Sequence, residues 1–395
     1  MKLALALSGG GYRATVFHLG VLARLAQDNH LEQVNFLSTV SGGSLCVGLI
    51  HAMNSLQWPT STAYLEQVLP AARRTLTTKD LQRGMILRQF RNFWTFFDTR
   101  ADDLSALMQS EWGLTAELCD LPHTPRWIIN ATCYETGKNW RFERFRMGDY
   151  LFGYSYDTHL PLADAVASSA GFPGLVGPLV LDTRKYAWFQ YLDHSEPEIK
   201  AVPEGEHQHK TQAVQPSFSP VHLWDGGVYD NNGLEGLLDV QHGWRDRVDF
   251  LIVSDGSGRS KPEHYQRGVK ALMRLATGIM MDQVRSLRAR TVLERLINHA
   301  DQDKGSFLQI GNTCRHVLAA AGRGSEIPTL APGCLSDDEA YLAETMPTVI
   351  RKLVPYEFER LFRHGYEVAN YTLYAYHPEE FPYIEYQPSA FSSPA

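Results

Sequence analysis

One serine and two glycine-flanked aspartates have the residue types and settings needed for nucleophilic catalysis. Ser41 follows Val34–Val40, whose composition predicts a short buried strand. The apolar run Leu45–Ile50 predicts that a helix comes next, and Gly42 and Gly43 permit a sharp turn between the two. A serine on such a turn is presented as a nucleophile, and the N-terminus of the following helix can stabilise an oxyanion.

A serine hydroxyl needs a base, and the histidines occupy no setting that favours one of them. Asp225 and Asp255 each end a predicted strand and precede glycine. Asp225 is followed by Gly226, Gly227 and the polar run Asp230–Asn232, which can fix the loop by side-chain hydrogen bonds. The sequence therefore favours Asp225 as the base, with Asp255 as the alternative. Because a free aspartate has a pKa near ~3.9 and is a weak base, strong oxyanion donors are expected as well.

A glycine loop near the N-terminus is the candidate source of those donors. Leu3–Leu7 predicts a buried strand and Ala14–Ala26 a helix, and the loop between them contains Gly9, Gly10 and Gly11. It matches neither the dinucleotide-binding fingerprint nor a P-loop. A tight structural turn and an oxyanion hole both remain open. The oxyanion hole gains support because a βαβ unit places this loop and the serine turn at the carboxyl ends of neighbouring parallel strands.

The rest of the chain supplies the elements that must position these loops. The pattern predicts irregular helices over about 57–112, an exposed polar loop over about 194–220, and a helical region over 301–395. It also predicts a helix over 234–240 directly after the Asp225 loop. Histidines within the exposed loop, His207 and His209, are interpreted as solvated residues rather than metal ligands.

The segment Met85–Phe97 combines aromatic and basic residues in an otherwise acidic chain. Two interpretations are open: a cap or lipid-contacting helix, and a helix buried against the core. Under the first, the aromatic residues share one helical face and nearby arginines meet lipid phosphates; the residues concerned are Phe90, Phe93, Trp94, Phe97, Arg83, Arg88 and Arg91.

Composition narrows the class of protein. The chain has 395 residues, 44% of them hydrophobic, and a net charge of −7, which argues against a nucleic-acid-binding protein. Five scattered cysteines without a C-x-x-C pair indicate reduced thiols in a cytoplasmic protein, with neither a disulfide framework nor the spacing of a zinc site. We expect no targeting segment and no membrane-spanning run, so any membrane contact is expected to be peripheral.

Taken together, three motifs resemble the patatin-like phospholipases, a family of lipid acyl hydrolases related to cytosolic phospholipase A2. They are S-G-G-G-Y-R at Ser8–Arg13, T-V-S-G-G at Thr39–Gly43 and D-G-G at Asp225–Gly227, and they occur in the family's order. The run A-S-S-A-G-F-P-G at Ala167–Gly174 matches as well. The sequence departs from the family at Thr39, where a patatin has glycine.

The resemblance implies a three-layer α/β/α sandwich with a mostly parallel sheet and helical additions. The resemblance covers most of the first 260 residues, and the region after Ala300 adds little to it. We expect an acyl hydrolase domain over 1–300, with an inserted helical cap over about 57–112 and the exposed loop over about 194–220, and a helical extension over 301–395 packed on the same domain. By the same resemblance Ser41 is the nucleophile and Asp225 the base of a dyad. Gly9, Gly10 and Gly11 form the oxyanion hole, Arg13 supports it, and neither metal nor cofactor is involved.

The expected function is hydrolysis of acyl esters in phospholipids or lysophospholipids at a membrane surface, by a phospholipase A or lysophospholipase activity. Two alternatives remain open. One is a regulated effector that degrades membranes by the same chemistry, and the other is a non-catalytic module whose glycine loop binds an anion or lipid.

Overall fold

The computed structural model describes residues 1–91, 100–192, 211–239, 242–245, 248–258, 262–300 and 302–391. Within those ranges no helix combines the length and the apolar composition needed to cross a bilayer. Residues 92–97 of the segment 85–97 and residues 194–210 of the loop 194–220 lie outside the described residues, and so do His207 and His209.

Twelve strands of the described part form one mixed sheet. They are β1 (Leu3–Leu7), β2 (Val34–Val40), β3 (Arg126–Cys133), β4 (Lys138–Glu143), β5 (Arg146–Asp149), β6 (Gly153–Ser155), β7 (Leu179–Leu181), β8 (Trp188–Tyr191), β9 (Thr211–Val214), β10 (Val221–Asp225), β13 (Phe250–Asp255) and β14 (Gly305–Gln309). A separate hairpin pairs β11 (Leu238–Asp239) with β12 (Gly243–Trp244).

The α-helices of the described part are α1 (Gly11–Gln27), α2 (Gly42–Met53), α3 (Ser61–Ala63), α4 (Leu69–Thr78), α5 (Leu81–Arg91), α6 (Arg100–Leu107), α7 (Leu162–Ser169), α8 (Gly227–Asp230), α9 (Val269–Met273), α10 (Met281–Asn298), α11 (Cys314–Ala320), α12 (Ile327–Leu330), α13 (Asp337–Glu344) and α14 (Pro355–Tyr376). The π-helical segments Tyr64–Val68 and Arg274–Met280 join α3 to α4 and α9 to α10.

The centre of the sheet is parallel, in the order β14-β13-β1-β2-β3. Antiparallel strands β4, β5, β6, β8 and β9 extend it beyond β3. Alternation along β1 separates two cores: Leu3, Leu5 and Leu7 face α1, α2 and α14, whereas Ala4 and Ala6 face a second cluster. Apolar residues on both faces explain why β1 is continuously hydrophobic. The predicted three-layer α/β fold is confirmed.

The C-terminal helix α14 crosses α1 at close range. A Cβ on Gly20 would lie 2.0 Å from the backbone oxygen of Phe362, and one on Gly365 would lie 2.0 Å from that of Phe17. Side chains at either position would therefore force the helices apart. Arg24, fully buried in α1, strengthens the contact by donating to Asn370 Oδ1 at 2.7 Å.

One helix expected from sequence is replaced by a turn and a strand. Residues 234–237 form a single turn, after which β11 begins at Leu238. Asp230 Oδ2 accepts the N–H groups of Leu234 and Glu235 at 2.8 and 3.0 Å, which fixes the turn. Leu234, Leu237 and Leu238 are then buried under the sheet, so their apolar spacing reflects core packing rather than a helix. The predicted helix over 234–240 was wrong.

Candidate active site

Ser41 occupies a strained turn between β2 and α2. Its φ and ψ are 49° and −112°, a left-handed conformation that side chains rarely adopt, and it is 7% exposed. Gly42 allows the close approach that this turn requires, since a Cβ there would lie 2.4 Å from Gly11 O. Gly43 is similarly enclosed by Leu7 O. The two glycines after the serine therefore bring the turn against the glycine loop.

A buried chain of hydroxyl groups holds this turn from behind. Trp127 Nε1 donates to Thr39 Oγ1 at 2.8 Å, Thr39 Oγ1 bonds Ser44 Oγ at 2.7 Å, and Ser44 Oγ bonds Ser169 Oγ at 2.8 Å. Ser169 Oγ also accepts the Ser41 N–H at 3.0 Å. Thr39 stands where the resemblance predicts glycine, and its hydroxyl is part of the support. The substitution therefore supplies an anchor to the turn.

Asp225 reaches Ser41 because two strands meet end to end along β3. Val40, the last residue of β2, pairs with Asn130, and Asp225, the last of β10, pairs with Ala131. β4 occupies the opposite edge of β3 at these positions, so β2 and β10 share one edge, running in opposite directions. Their carboxyl ends consequently meet, and the residues following them lie side by side.

The Asp225 carboxylate is buried, and only one of its two oxygens has a hydrogen-bond partner of standard geometry among the described residues. Oδ1 accepts the Gly227 N–H at 2.7 Å, whereas Oδ2 has no hydrogen-bond partner of standard geometry among the described residues. Burial raises the pKa of this carboxyl to about 7, against smaller lowering effects of the Gly227 N–H and the Ser41 hydroxyl. Gly226 is required here, because a Cβ would lie 2.4 Å from Asn130 O.

The three glycines of the first loop play different parts. The Gly9 N–H donates to Asn231 O at 3.1 Å and is thus already engaged. Gly10 has φ +141°, and Gly11 begins α1 with φ +59°. Neither of these N–H groups has a hydrogen-bond partner within the described part of the chain. Both N–H groups lie at the N-terminal end of α1, where the helix dipole is positive and free donors can bind an anion.

Arg13 braces the loop rather than pointing freely into solvent. Its Nε donates to Gly256 O at 3.2 Å and its Nη1 to Met346 O. A Cβ on Gly10 would lie 3.1 Å from Nη2, so the guanidinium lies against the loop. Burial lowers the pKa of Arg13 to about 10, an effect that nearby Asp255 opposes.

The alternative base, Asp255, is held by other groups. Its Oδ1 accepts the N–H of Ser257 at 3.0 Å and the hydroxyl of the same residue. Arg285 lies 4.0 Å from Oδ2. Asp255 is not among the residues that line the cavity containing Ser41.

A cavity of about 440 Å³ connects the candidate residues. Ser41, Asp225 and Gly10 line it, together with two further groups, of which the sequence analysis named the first only as part of the polar run Asp230–Asn232. The first of these groups is Asn231, whose Oδ1 would be 2.4 Å from a Cβ on Gly9 or Gly227. The second is a wall from the C-terminal region, Glu344–Thr348, which no local sequence pattern marks as part of a site.

Comparison with known proteins places this geometry in a family. The model of the patatin-like phospholipases matches residues 5–238, which include all three motifs. A search of curated proteins returns no match. The structure of human GIVD cytosolic phospholipase A2 superposes with a TM-score of 0.52 at 13% identity, covering 94% of this chain and 61% of that one.

The same human enzyme in complex with methyl gamma-linolenyl fluorophosphonate gives a TM-score of 0.49 at 14% identity, covering 93% of this chain and 57% of that one. The chain thus spans about three fifths of the solved chains it resembles. The likeness to the first of these structures supports a shared fold. The match to the family model extends over more than half of the sequence and supports membership of the family. The chain belongs to the patatin-like phospholipase family.

Proposed function

We propose that this protein hydrolyses fatty-acyl esters of phospholipids or lysophospholipids through an acyl-enzyme on Ser41. The observation that supports it most directly is the meeting of the β2 and β10 ends, which brings Ser41 and the unpartnered Oδ2 of Asp225 into one cavity. Catalytic hydrogen bonds are often long before substrate binds, so the absent Ser41–Asp225 bond of standard geometry is compatible with this role.

In the proposed reaction Asp225 Oδ2 accepts the proton of Ser41 as Oγ attacks the ester carbonyl carbon. The developing oxyanion receives the N–H groups of Gly10 and Gly11, and each such donor contributes roughly 3–4 kcal/mol to the transition state. As the tetrahedral intermediate collapses, Asp225 returns the proton to the departing lysolipid or glycerol oxygen. Water then attacks the acyl-enzyme with Asp225 again as base, releasing the fatty acid and restoring Ser41.

A pKa near 7 suits this base better than an ordinary aspartate. A general base acts best when its pKa lies near the working pH, since it is then both ionised and basic. The engaged N–H of Gly9 narrows the proposed oxyanion donors to Gly10 and Gly11. Gly9 instead serves as a connection between the loop and Asn231.

The lipid surface is proposed to meet the protein beside this cavity. On the helix running from α9 to α10, Thr277 and Met281 line the cavity. Other side chains of the same helix are apolar and exposed, namely Val269, Leu272, Leu275, Ile279 and Met280. Arg267 and Lys270 add positive charge nearby. An apolar surface with flanking basic residues is typical of peripheral contact with anionic lipid.

A fluorophosphonate probe tests the proposed nucleophile. We expect it to label the wild-type protein stoichiometrically at Ser41, as located by peptide mass spectrometry, and to fail on Ser41→Ala. Ser110→Ala, which changes an exposed helical serine, should label normally. If Ser41→Ala is still labelled, or still hydrolyses liposomes, the proposal is disproved. If the wild type is neither labelled nor active on liposomes, the anion-binding alternative is favoured instead.

A further inference from the structure

Glu117, Cys119 and His159 form a cluster of potential metal ligands outside the cavity of Ser41. The cysteine and the histidine are 40 positions apart in the sequence, so no local spacing indicates a site here. The three ligand atoms all lie within 4.8 Å of one another. They combine one thiol, one imidazole and one carboxylate, the ligand types that zinc uses in proteins.

The distances within the cluster approach those of a tetrahedral zinc site. Cys119 Sγ lies 3.6 Å from His159 Nδ1 and 3.6 Å from Glu117 Oε2. With Zn–S about 2.3 Å and Zn–N and Zn–O about 2.0–2.1 Å, a tetrahedron has S···N and S···O edges of about 3.5 Å. His159 Nδ1 and Glu117 Oε2 are 2.8 Å apart, and this pair needs to open by only about 0.5 Å.

The backbone around the cluster is already fixed in place. Leu118 N donates to Leu160 O at 2.9 Å, and Leu162 N donates to Ala116 O at 2.8 Å. These bonds hold the segment of Glu117 and Cys119 against the segment of His159. Metal binding therefore requires side-chain adjustment and no refolding, which keeps the cost of ordering low.

A second support fixes the short helical turn that carries Cys119. Arg144 Nη1 donates to the backbone oxygens of Cys119 and Leu121. Glu117 and Asp120 form a reciprocal capping box, in which Asp120 Oδ2 accepts the Glu117 N–H at 2.9 Å and the Glu117 carboxylate accepts the Asp120 N–H. The remaining coordination position faces solvent, because the His159 side chain is 73% exposed.

We propose that Glu117, Cys119 and His159 bind one Zn²⁺ ion, with water as the fourth ligand. The thiolate and imidazole favour zinc over calcium or magnesium, which prefer oxygen ligands. A thiolate, a carboxylate and a neutral imidazole together carry two negative charges, which the ion neutralises. The ion joins the segment before β3 to the segment that leads into α7, and it takes no part in ester hydrolysis.

Cobalt substitution tests the site independently of enzymatic activity. Chelator-treated, desalted protein is titrated with Co²⁺, which should produce the visible bands of a tetrahedral site and a near-ultraviolet thiolate charge-transfer band. Zn²⁺ should abolish both bands, and it should raise the Tm of the wild type because it binds the folded state. Cys119→Ser should remove the charge-transfer band, and His159→Gln should weaken Co²⁺ binding at least tenfold.

Cys334→Ser provides the matched control, since it replaces another partly exposed thiol outside the cluster. It should leave Co²⁺ binding unchanged. A charge-transfer band that persists in Cys119→Ser, or that disappears in Cys334→Ser, would overturn the assignment. So would a wild-type titration showing only weak octahedral binding by an adventitious ion. Absence of Co²⁺ binding by the wild type would overturn the zinc site as well. It would not affect the Ser41 proposal, which needs no metal.

Discussion

The backbone oxygen of Asn231 accepts the N–H of Gly9 at 3.1 Å. This bond joins the loop after β1, proposed to supply oxyanion donors, to the loop after β10, which follows the proposed base. The two loops are thus fixed relative to each other without a substrate. Such preorganisation is what electrostatic stabilisation of a transition state requires.

Asp225→Asn should lower acyl-ester hydrolysis by about 10⁴-fold, as removal of one member of a nucleophile–base pair generally does. An amide cannot accept the Ser41 proton. The effect should not add to that of Ser41→Ala, because both residues act in one proton transfer. Turnover of p-nitrophenyl butyrate by purified, folded protein measures it.

Asp255→Asn is the matched control for this carboxylate. It removes a negative charge from beside Arg285 and leaves one side-chain oxygen to accept from Ser257, so we expect a lower Tm with largely retained turnover per folded molecule. The reverse ranking of the two variants in turnover would transfer the base role to Asp255.

Activity should rise with pH and level off above about 7, because only the ionised Asp225 accepts a proton and burial raises its pKa to about 7. The pH dependence of kcat/KM reports this ionisation in the free enzyme. A profile that is flat from pH 5 to 8 would contradict it.

The same raised pKa has the opposite consequence for stability. The folded state holds the Asp225 proton more tightly than the unfolded state does. The contribution of this group to the free energy of unfolding therefore falls as pH rises from about 4 to about 7. Asp225→Asn, which is neutral throughout, should therefore raise Tm relative to wild type more at pH 8 than at pH 4. An equal difference at both pH values would refute the linkage.

Gly10→Ala should lower kcat more than it raises KM, because oxyanion donors act chiefly in the transition state. The added Cβ would lie 3.1 Å from Gly256 O on a backbone with φ +141°, which displaces the loop. Gly137→Ala is the control: φ there is +65° and no atom lies within 4 Å of the added carbon. If both variants lose only Tm, the loop is a structural turn.

Leu272→Ser combined with Ile279→Ser should weaken binding to vesicles containing phosphatidylglycerol and slow their hydrolysis, while sparing p-nitrophenyl butyrate. Both side chains are exposed, by 66% and 51%, and burial of each in lipid would contribute roughly 1.5–3 kcal/mol. Ile297→Ser, at the far end of α10 and 74% exposed, should have little effect. Vesicle flotation measures binding of each variant. Equal binding by the wild type and all variants would refute the assignment of this surface as the lipid contact.

The local features of the site could be predicted from sequence, and its long-range features could not. The turn at Ser41 and the strand ending at Asp225 follow from glycines and apolar runs within a few residues. The wall from Glu344 to Thr348 and the hydroxyl chain through Ser169 depend on pairings between residues more than a hundred positions apart. The interpretation of Met85–Phe97 as a lipid contact stays a prediction. Within it Met85 is buried, Ile86 and Leu87 are exposed, and residues 92–97 lie outside the described ranges.

The close crossing of α1 and α14 also bears on the order in which the site is assembled during synthesis. Ribosomes release the N-terminal part of a chain first, and here that part contains Ser41, Asp225 and the glycine loop. Yet Tyr12 N donates to Val349 O at 2.9 Å, and Arg13 donates to Met346 O, on the segment that leads into α14. A nascent chain that ends before residue 346 lacks both acceptors, so the glycine loop gains these two bonds only after the segment before α14 has been made. Under the proposed function, the two bonds that the glycine loop receives from this segment are therefore the last part of the oxyanion site to form during synthesis.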